Sequence, residues 1–470
     1  MTQVPRALKK KPGGAALAAG LPWLVGAVLL ALYMPATTVI GGMMPLFLLG
    51  LAAMAVAVSV HPLFSFAGYY GALFFADTAL SLGISANQVL AGLFLASFTV
   101  FWVRGRALRL ETGWLPLLAA AAAYYALSGV AGEAPEHGVV HSRYTLIYFS
   151  LAVCLAKSLA EERSILTLAW IVTAATFVAA CHGFVQAAEM NILSGFSGRW
   201  TNAVRVSGTA KNSILFGWNM VFAVPFAFLL YSELRSPRLR MLALGCALAA
   251  MAAAALTFNR QTYVVIALVL GLSAWLFTYR NRRALLSAVA LLGGLGALTI
   301  FPMILRRLMT LTNVSRDPSF LERRDSFLVG MQMFREHPFF GVGFGSFSSV
   351  WKQYVPADFS TYYVQYMHAT RPRFPDFGYL ALLAETGAVG LAVFALLLSS
   401  AAWRAWRLRR SSLESGDLFA ANYSALVLVL TAYVAATSAI QDTLLYPRVW
   451  MVFALALLCS PRIWAREQAA

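Results

Sequence analysis

Long apolar runs separated by short polar connections dominate the chain. A bilayer core about 30 Å thick needs about 20 apolar residues of helix to cross it, and fourteen stretches approach that length. Two of them can be re-entrant or interfacial pieces, because several between residues 39 and 102 are short or poorly separated. The pattern therefore predicts an all-α polytopic membrane protein with about twelve, and at most fourteen, transmembrane helices. The fourteen stretches are roughly 15–32, 39–60, 63–80, 88–102, 114–129, 142–160, 165–188, 214–231, 241–257, 262–278, 284–305, 377–403, 419–440 and 448–460.

Composition excludes the other broad classes of protein. The 470 residues are 60% hydrophobic and 12% charged, and their mean hydropathy is +0.71. A soluble domain is typically about 45–50% apolar and about 25% charged. Aromatic residues make up 13% of the chain, which is the reverse of the composition of disordered segments. The four cysteines lie in apolar runs without paired spacing, so neither a disulfide framework nor a zinc site is predicted.

The basic residues divide by side of the membrane. The formal net charge is +17, and in the predicted topology 21 of the 36 lysines and arginines fall in short loops and tails on one side. That side is cytoplasmic, because basic residues are retained there. Both termini then lie in the cytoplasm, and the basic N-terminus without a cleavage site predicts an uncleaved first helix. The other fifteen basic residues lie on the outer side, where this rule disfavours them.

One long polar connection, at residues 306–376, interrupts the membrane segments. It divides the chain into N-terminal transmembrane helices at 1–305, the connection itself, and C-terminal transmembrane helices at 377–470. A connection of this length is usually functional or disordered. Its aromatic content and a helix-like pattern at 321–334 favour an ordered extracytoplasmic subdomain.

Three outer residues are the strongest candidates for chemistry. Arg205 lies in an outer loop, and Arg260 lies at the tip of a very short turn. Snorkelling to lipid headgroups is the alternative for any outer arginine, but the Arg260 turn is too short and polar to favour it. His337 precedes a proline at the end of the predicted 321–334 helix, where it is either a helix cap or a catalytic group, since histidine titrates near neutrality.

Acidic residues offer less specific signals. Glu385 lies in an apolar run, where a structural ion pair or a buried hydrogen bond is as good an explanation as catalysis. His137 and His141 flank Glu133 and Glu136, but an intervening proline places them off one helical face and argues against a metal site. The outer loops contain no D-x-D motif. We therefore expect neither a metal nor another cofactor.

Four groups of residues carry a resemblance to a known family. They are R-x-x-G-x-x-x-N at Arg205, Gly208 and Asn212, then T-x-x-R at Thr257 and Arg260, then R-x-x-x-x-x-G at Arg324 and Gly330 leading into H-P-x-x-G-x-G-x-G-x-F from His337 to Phe347, and Y-L-x-L-L-x-E-x-G-x-x-G from Tyr379 to Gly390. In this order the sequence resembles the O-antigen ligase/polymerase (Wzy_C) superfamily. Many relatives look like H-N-x-Y-L before the last motif, whereas this chain reads D-F-G-Y-L at residues 376–380.

The resemblance implies a function and an architecture. A single long loop with a central His337 looks most like the lipopolysaccharide O-antigen ligase branch. Such glycosyltransferases have a C-type membrane architecture (GT-C) with about twelve spans and one long periplasmic loop, and lie in the bacterial inner membrane. They transfer O-antigen polysaccharide from undecaprenyl diphosphate to lipid A–core at the periplasmic face, without a metal ion.

The residues take roles in such a reaction. Arg205 and Arg260 would grip the diphosphate and stabilise the charge that grows on it as it leaves. Neutral His337 would take the proton of the acceptor hydroxyl, and attack opposite the leaving group would invert the anomeric centre. Further candidates for substrate binding are Arg143, Arg199, Asn212, Arg324, Tyr379 and Glu385; Arg323, Arg371 and Arg373 could also hold the acceptor.

Three alternatives remain at the level of sequence. An O-antigen polymerase and a protein O-oligosaccharyltransferase of the same superfamily differ from a ligase in the acceptor alone. A transporter or flippase for lipid-linked sugars is the alternative of another class, although no inverted repeat is evident. The positive charge indicates an anionic lipid-linked phosphate and membrane lipids as partners, and nucleic acid is excluded as one.

Overall fold

The computed structural model describes residues 61–73, 86–105, 113–159, 161–190, 205–210, 212–278, 318–355, 377–439, 444, 446–460 and 464. Helix is the dominant structure throughout these residues, and they contain no strand. The all-helical class predicted from the sequence is confirmed. The predicted segments 15–32, 39–60 and 284–305 lie outside the described residues.

Thirteen α-helices occur in the described part of the chain. They are α1 (Pro62–Ala72), α2 (Ala86–Val103), α3 (Leu115–Val130), α4 (Pro135–Ser158), α5 (Glu162–Glu189), α6 (Ser213–Glu233), α7 (Pro237–Ala255), α8 (Arg260–Leu276), α9 (Pro318–Glu336), α10 (Phe347–Val350), α11 (Gly378–Ser415), α12 (Leu418–Ser438) and α13 (Pro447–Leu457). Short 3₁₀ turns follow at Gly208–Ala210 and Trp351–Tyr354.

Six of these helices, α4 to α7 with α11 and α12, are long and apolar enough to cross a membrane. Four shorter apolar helical stretches accompany them at Leu90–Val103, Leu115–Val130, Gln261–Leu276 and Pro447–Leu457. The chain is therefore a multi-pass membrane protein. The total of about twelve spans and the GT-C architecture stay predictions.

Helices α6 and α12 form the centre of the bundle. The most apolar windows of these helices are 83% and 78% buried within the protein. A helix that is apolar on every side is stable only when other helices surround it, and every residue of α6 from Phe216 to Leu230 is buried. The Tyr433 hydroxyl of α12 donates to the Trp218 carbonyl of α6 over 3.0 Å. This bond ties the two central helices together.

Hydrogen bonds between helix ends place several loops at one end of the bundle, called here the site end. Near the start of α11, Tyr379 donates to the Ala435 carbonyl near the end of α12, and Tyr433 of α12 donates to the Trp218 carbonyl near the start of α6. The α3–α4 connection lies at this end too, because the Val342 carbonyl accepts from the Glu133 amide while the Val342 amide donates to the Ala384 carbonyl of α11. A backbone contact supports this arrangement, because the Val206 amide donates to the Leu256 carbonyl over 3.4 Å. The loop that contains Arg205 therefore lies next to the α7–α8 connection, which ends where α8 begins at Arg260.

The described part of the long connection folds against the site end. The helix predicted at 321–334 is confirmed and spans Pro318–Glu336 as α9. A second, smaller core forms beneath it from Ala134, Val329, Met333, Val342, Phe347, Val350, Trp351, Tyr354 and Ala384. A Cβ at Gly330 of α9 would lie 3.0 Å from the Leu380 side chain of α11. Glycine at this position therefore lets the two helices pack closely. The boundary predicted at 305/306 lies outside the described residues, and the one at 376/377 lies at their edge.

Candidate active site

The glycines that follow His337 form a tight loop at the site end. Gly341, Gly343 and Gly345 have φ values of 67°, 106° and 82°, which residues with a side chain rarely adopt. A Cβ at Gly341 would meet the Glu385 backbone, and one at Gly343 would meet the Cα atom of Gly132. These glycines therefore serve close backbone packing.

Backbone hydrogen bonds fasten this loop to two other parts of the chain. The Val342 amide donates to the Ala384 carbonyl over 3.0 Å, and the Gly343 amide donates to the Glu385 carbonyl over 2.8 Å. On the opposite side, the Glu133 amide donates to the Val342 carbonyl over 2.8 Å. The glycine loop thus joins the α3–α4 connection to helix α11.

Helix α11 is broken where the loop docks. Gly387 has φ 64° and ψ −169° inside the helix, a conformation essentially restricted to glycine. The amides of Ala388 and Val389 donate to the carbonyls of Pro338 and Phe339 over 2.9 and 3.2 Å. The break therefore exposes backbone donors that hold the segment directly after His337.

Glu385 supports the same loop with its side chain. It is 2% exposed, and its carboxylate accepts a 3.1 Å hydrogen bond from the Phe347 amide at the start of α10. The sequence left an ion pair, a buried hydrogen bond and catalysis open for Glu385, and this contact is a buried hydrogen bond. Tyr379 likewise makes an internal bond, since its hydroxyl donates to the Ala435 carbonyl of α12 over 2.8 Å.

His337 meets two partners at the edge of this loop. Its Nε2 atom lies 3.0 Å from the Oε1 atom of Glu133 and 3.0 Å from the hydroxyl of Tyr354. The Tyr354 hydroxyl donates to the same Glu133 oxygen over 2.6 Å. The side chain of His337 is 41% exposed. Its ring is therefore held on one edge while part of it remains open to solvent.

Burial raises the pKa of the Tyr354 phenol above its ordinary value, and the hydrogen bond to the Glu133 carboxylate raises it further. A protonated phenol has one hydrogen to donate. Tyr354 therefore stays a hydrogen-bond donor at neutral pH.

The Arg205 loop is built around its own glycine and asparagine. Gly208 has φ 52°, and a Cβ at this position would collide with the Phe216 ring. The Gln186 side chain of α5 accepts hydrogen bonds from the amides of Ser207 and Gly208 over 3.1 and 2.7 Å. Arg205 itself is partly buried. The loop is thus fixed by contacts with helices α5 and α6.

Asn212 ends that loop as the N-cap of α6. Its Oδ1 atom accepts from the amides of Ile214 and Leu215 over 2.8 and 3.3 Å. An asparagine at this position satisfies backbone donors that the helix cannot. The contact gives Asn212 a structural role. Asn259 acts similarly before α8, where it accepts from the Gln261 amide over 3.2 Å.

Comparison with family models relates part of the chain to known proteins. Residues 244–395 match the model Wzy_C, described as O-Antigen ligase. This chain carries a region of the O-antigen ligase family. The family resemblance drawn from the sequence motifs is confirmed. Comparison with curated proteins gave no match.

The O-antigen ligase region contains Arg260, His337 and Glu385, while Glu133 and Arg205 precede it. Glu133 nevertheless contacts His337 directly. The candidate site is therefore assembled from the family region and from helices outside it.

The other predicted binding residues are spread around the candidate site. Arg143 is exposed on α4, with its guanidinium 5.4 Å from the centre of the Tyr144 ring. With Val130, Leu146 and other residues it lines an apolar groove of about 430 Å³ beside α2. Arg199, Arg371, Arg373 and the side chain of Arg260 lie outside the described residues.

Arg324 has an acidic neighbour. Its Nε and Nη2 atoms lie 3.0 and 2.8 Å from the Oδ1 atom of Asp325. The Asp325 side chain is fully buried, while that of Arg324 is 45% exposed. This pairing neutralises part of the positive charge that an anionic substrate would meet.

Sequence reasoning missed the roles of Glu133 and Tyr354. It considered Glu133 only as a metal ligand beside His137 and His141, whereas Glu133 faces His337. His137 instead lies 3.4 Å from Glu136, and within the described residues no group of three potential metal ligands converges. The position of Glu133 in a four-residue connection was the one available signal, and the pairing with His337 required the fold.

Proposed function

We propose that this chain is a lipopolysaccharide O-antigen ligase that transfers O-antigen polysaccharide from undecaprenyl diphosphate to lipid A–core at the periplasmic face of the inner membrane. The match of residues 244–395 to the O-antigen ligase family model supports the reaction class. The observation that carries the proposal is the placement of His337. Its ring is partly exposed, held by a carboxylate, and located at the same end of the bundle as Arg205 and the start of α8.

The site end suits an amphiphilic donor. A prenyl tail lies in the bilayer, its diphosphate lies at the interface, and its glycan lies in water. Arg205 and Arg260 would bind the diphosphate through their paired guanidinium donors. These arginines would take the place that a divalent cation occupies in many soluble glycosyltransferases.

The transfer itself exchanges one bond to the sugar for another. The acceptor hydroxyl oxygen attacks C1, and its proton passes to His337. The bond between C1 and the diphosphate oxygen breaks, and its electron pair leaves with undecaprenyl diphosphate. The arginines stabilise the negative charge that develops on this leaving group. Attack from the opposite face inverts the anomeric centre.

A reconstituted transfer assay tests the proposal. The purified protein in proteoliposomes receives an undecaprenyl-diphosphate-linked glycan and lipid A–core, and the glycosylated product is separated on a gel. We expect transfer by the wild type and none by His337→Ala. His137→Ala, an exposed histidine at the same end that contacts Glu136, is the matched control and should transfer normally. Full activity of His337→Ala would remove this residue from the mechanism.

The acceptor defines which member of the superfamily the chain is. Parallel reactions offer lipid A–core, a second lipid-linked repeat unit, and a pilin-like polypeptide. Transfer to lipid A–core alone supports the ligase. Transfer to the second or third acceptor would make the chain a polymerase or a protein O-oligosaccharyltransferase. Movement of labelled lipid-linked glycan across proteoliposomes without covalent transfer would instead indicate a flippase.

A further inference from the structure

Three polar atoms at the candidate site form a closed triangle. The Tyr354 hydroxyl lies 2.6 Å from Glu133 Oε1, and His337 Nε2 lies 3.0 Å from each of these oxygens. The His337 and Tyr354 rings meet edge to face, with their planes at 77°. These distances determine which atom of the triangle donates each hydrogen bond.

The phenol hydrogen of Tyr354 is donated to the Glu133 carboxylate. Tyr354 has one hydrogen, and its contact with Glu133 is the shortest of the three. Hydrogen bonds to an ionised acceptor are shorter and stronger than neutral ones. The Tyr354 oxygen can then offer only a lone pair to His337.

The imidazole must donate from Nε2. That nitrogen faces a carboxylate oxygen and a phenol oxygen whose hydrogen points elsewhere, so an unprotonated Nε2 would face two lone pairs. A neutral imidazole carries a hydrogen on one nitrogen only. Nδ1 is therefore the basic atom, and among the described residues the structure gives it no hydrogen-bond partner.

We propose that Glu133 and Tyr354 are positioning residues, which hold His337 as its Nε2–H tautomer and so make Nδ1 the atom that accepts the proton of the acceptor hydroxyl. This inference rests on the proposed function of His337 as the general base. In the step, the O–H bond of the acceptor breaks and a Nδ1–H bond forms. The resulting imidazolium is stabilised by the Glu133 carboxylate, and it later loses the Nδ1 proton to water.

Replacing His337 by Nδ1-methylhistidine tests which nitrogen acts. The methyl group blocks Nδ1 and leaves Nε2 available. We expect transfer to fall to the level of His337→Ala. Transfer at the wild-type rate would overturn the assignment of Nδ1, while inactivity of His337→Ala in the same assay would still support His337 as the base. The two proposals can thus fail separately.

Truncating the positioning residues tests their part. Removing an orienting group lowers the contribution of a general base, which is worth about 10²–10⁴-fold in rate. We expect Glu133→Ala to lower kcat about 10- to 100-fold and Tyr354→Phe to lower it about tenfold, with the KM for the donor unchanged. Glu136→Ala, an exposed acid three residues further on, is the control. A wild-type kcat in Glu133→Ala would contradict the proposal.

A spectroscopic measurement on the wild-type protein tests the tautomer of His337 without relying on the activity of a variant. The ¹⁵N signals of selectively labelled histidine distinguish a protonated from an unprotonated ring nitrogen, and the His337 signals are those lost in His337→Asn. We expect the neutral imidazole of the wild-type protein to carry its hydrogen on Nε2 and none on Nδ1. The opposite pattern would overturn the proposal. In Glu133→Ala we expect the two tautomers to mix.

Discussion

The Nε2 atom of His337 lies 3.0 Å from the Oε1 atom of Glu133, although the two residues come from distant parts of the chain. Glu133 belongs to the short connection between two bundle helices, and His337 ends a helix of the long connection. The glycine loop makes this approach possible, because the Val342 carbonyl accepts from the Glu133 amide over 2.8 Å. His337 and its carboxylate partner are therefore positioned by backbone packing, and if His337 is the base as proposed, changes in that packing should change activity.

Gly387 is the first position where this dependence can be measured. Gly387→Ala forces a Cβ against the Phe339 backbone at a φ of 64°. Such conformations cost about 1–3 kcal/mol for other residues, and the clash displaces the segment after His337. We expect a lower melting temperature together with loss of transfer.

Gly416→Ala is the matched control for Gly387. Gly416 also has a positive φ, 76°, but nothing lies within 4 Å of its Cβ position. It should lose about 1–2 kcal/mol of stability from the backbone conformation alone and keep its transfer activity. Equal loss of transfer in both variants would show that the close approach at Gly387 is unimportant.

Glu385 should matter for the loop and not for substrate affinity. Glu385→Ala leaves the buried Phe347 amide without its carboxylate acceptor, which costs about 1–3 kcal/mol. Hydrogen exchange of residues 341–347 should become faster. Glu385→Gln keeps an oxygen acceptor and should retain the wild-type KM for both substrates. A raised KM for the donor in Glu385→Gln would instead indicate direct binding.

Asn212 should likewise act through helix stability. Asn212→Ala removes the N-cap of α6 and should cost about 0.5–2 kcal/mol, measured as a lower melting temperature. Asn212→Asp keeps the accepting oxygen and serves as the control. If Asn212→Asp restored stability but not the KM for the donor, the amide group would be in contact with substrate.

Arg324 and Asp325 can be separated by a double-mutant cycle. Arg324→Ala leaves a fully buried carboxylate without its cation, and pairs in contact show coupling of about 0.5–3 kcal/mol. We expect Arg324→Ala to destabilise the wild type more than it destabilises Asp325→Asn. If transfer to lipid A–core falls equally in both backgrounds, Arg324 binds the acceptor.

If arginines rather than a metal ion stabilise the leaving group, the rate of transfer should not depend on a divalent cation. The initial rate of transfer should be the same with and without EDTA. Arg205→Ala and Arg260→Ala should each lower kcat/KM for the donor by at least tenfold, since hydrogen bonds to a charged group contribute about 1.5–3 kcal/mol. Arg410→Ala, which removes an exposed pair with Glu414, is the control. A rate lost with EDTA and restored by Mg²⁺ would contradict this mechanism.

The sequence predicted the helices well because their signal is local. The bounds predicted for the segment at 165–188 and for the helix at 321–334 agree with α5 and α9 to within a few residues. The spacing of the glycines after His337 is visible in the sequence as the G-x-G-x-G part of its motif. It could not show what they approach, because Glu385 and Gly132 are brought to the loop only by the packing of α11 and the α3–α4 connection.

Composition and the motifs by themselves predicted the all-helical membrane class, the family resemblance, and His337 as a candidate base, since each signal depends on residues that are near one another in the chain. Tertiary structure alone decided the partners of that histidine. Glu133 and Tyr354 belong to no sequence motif. The sequence alone groups Glu133 with His137 and His141. Only the docking of the glycine loop between α11 and the α3–α4 connection places a carboxylate and a phenol on one edge of the His337 ring.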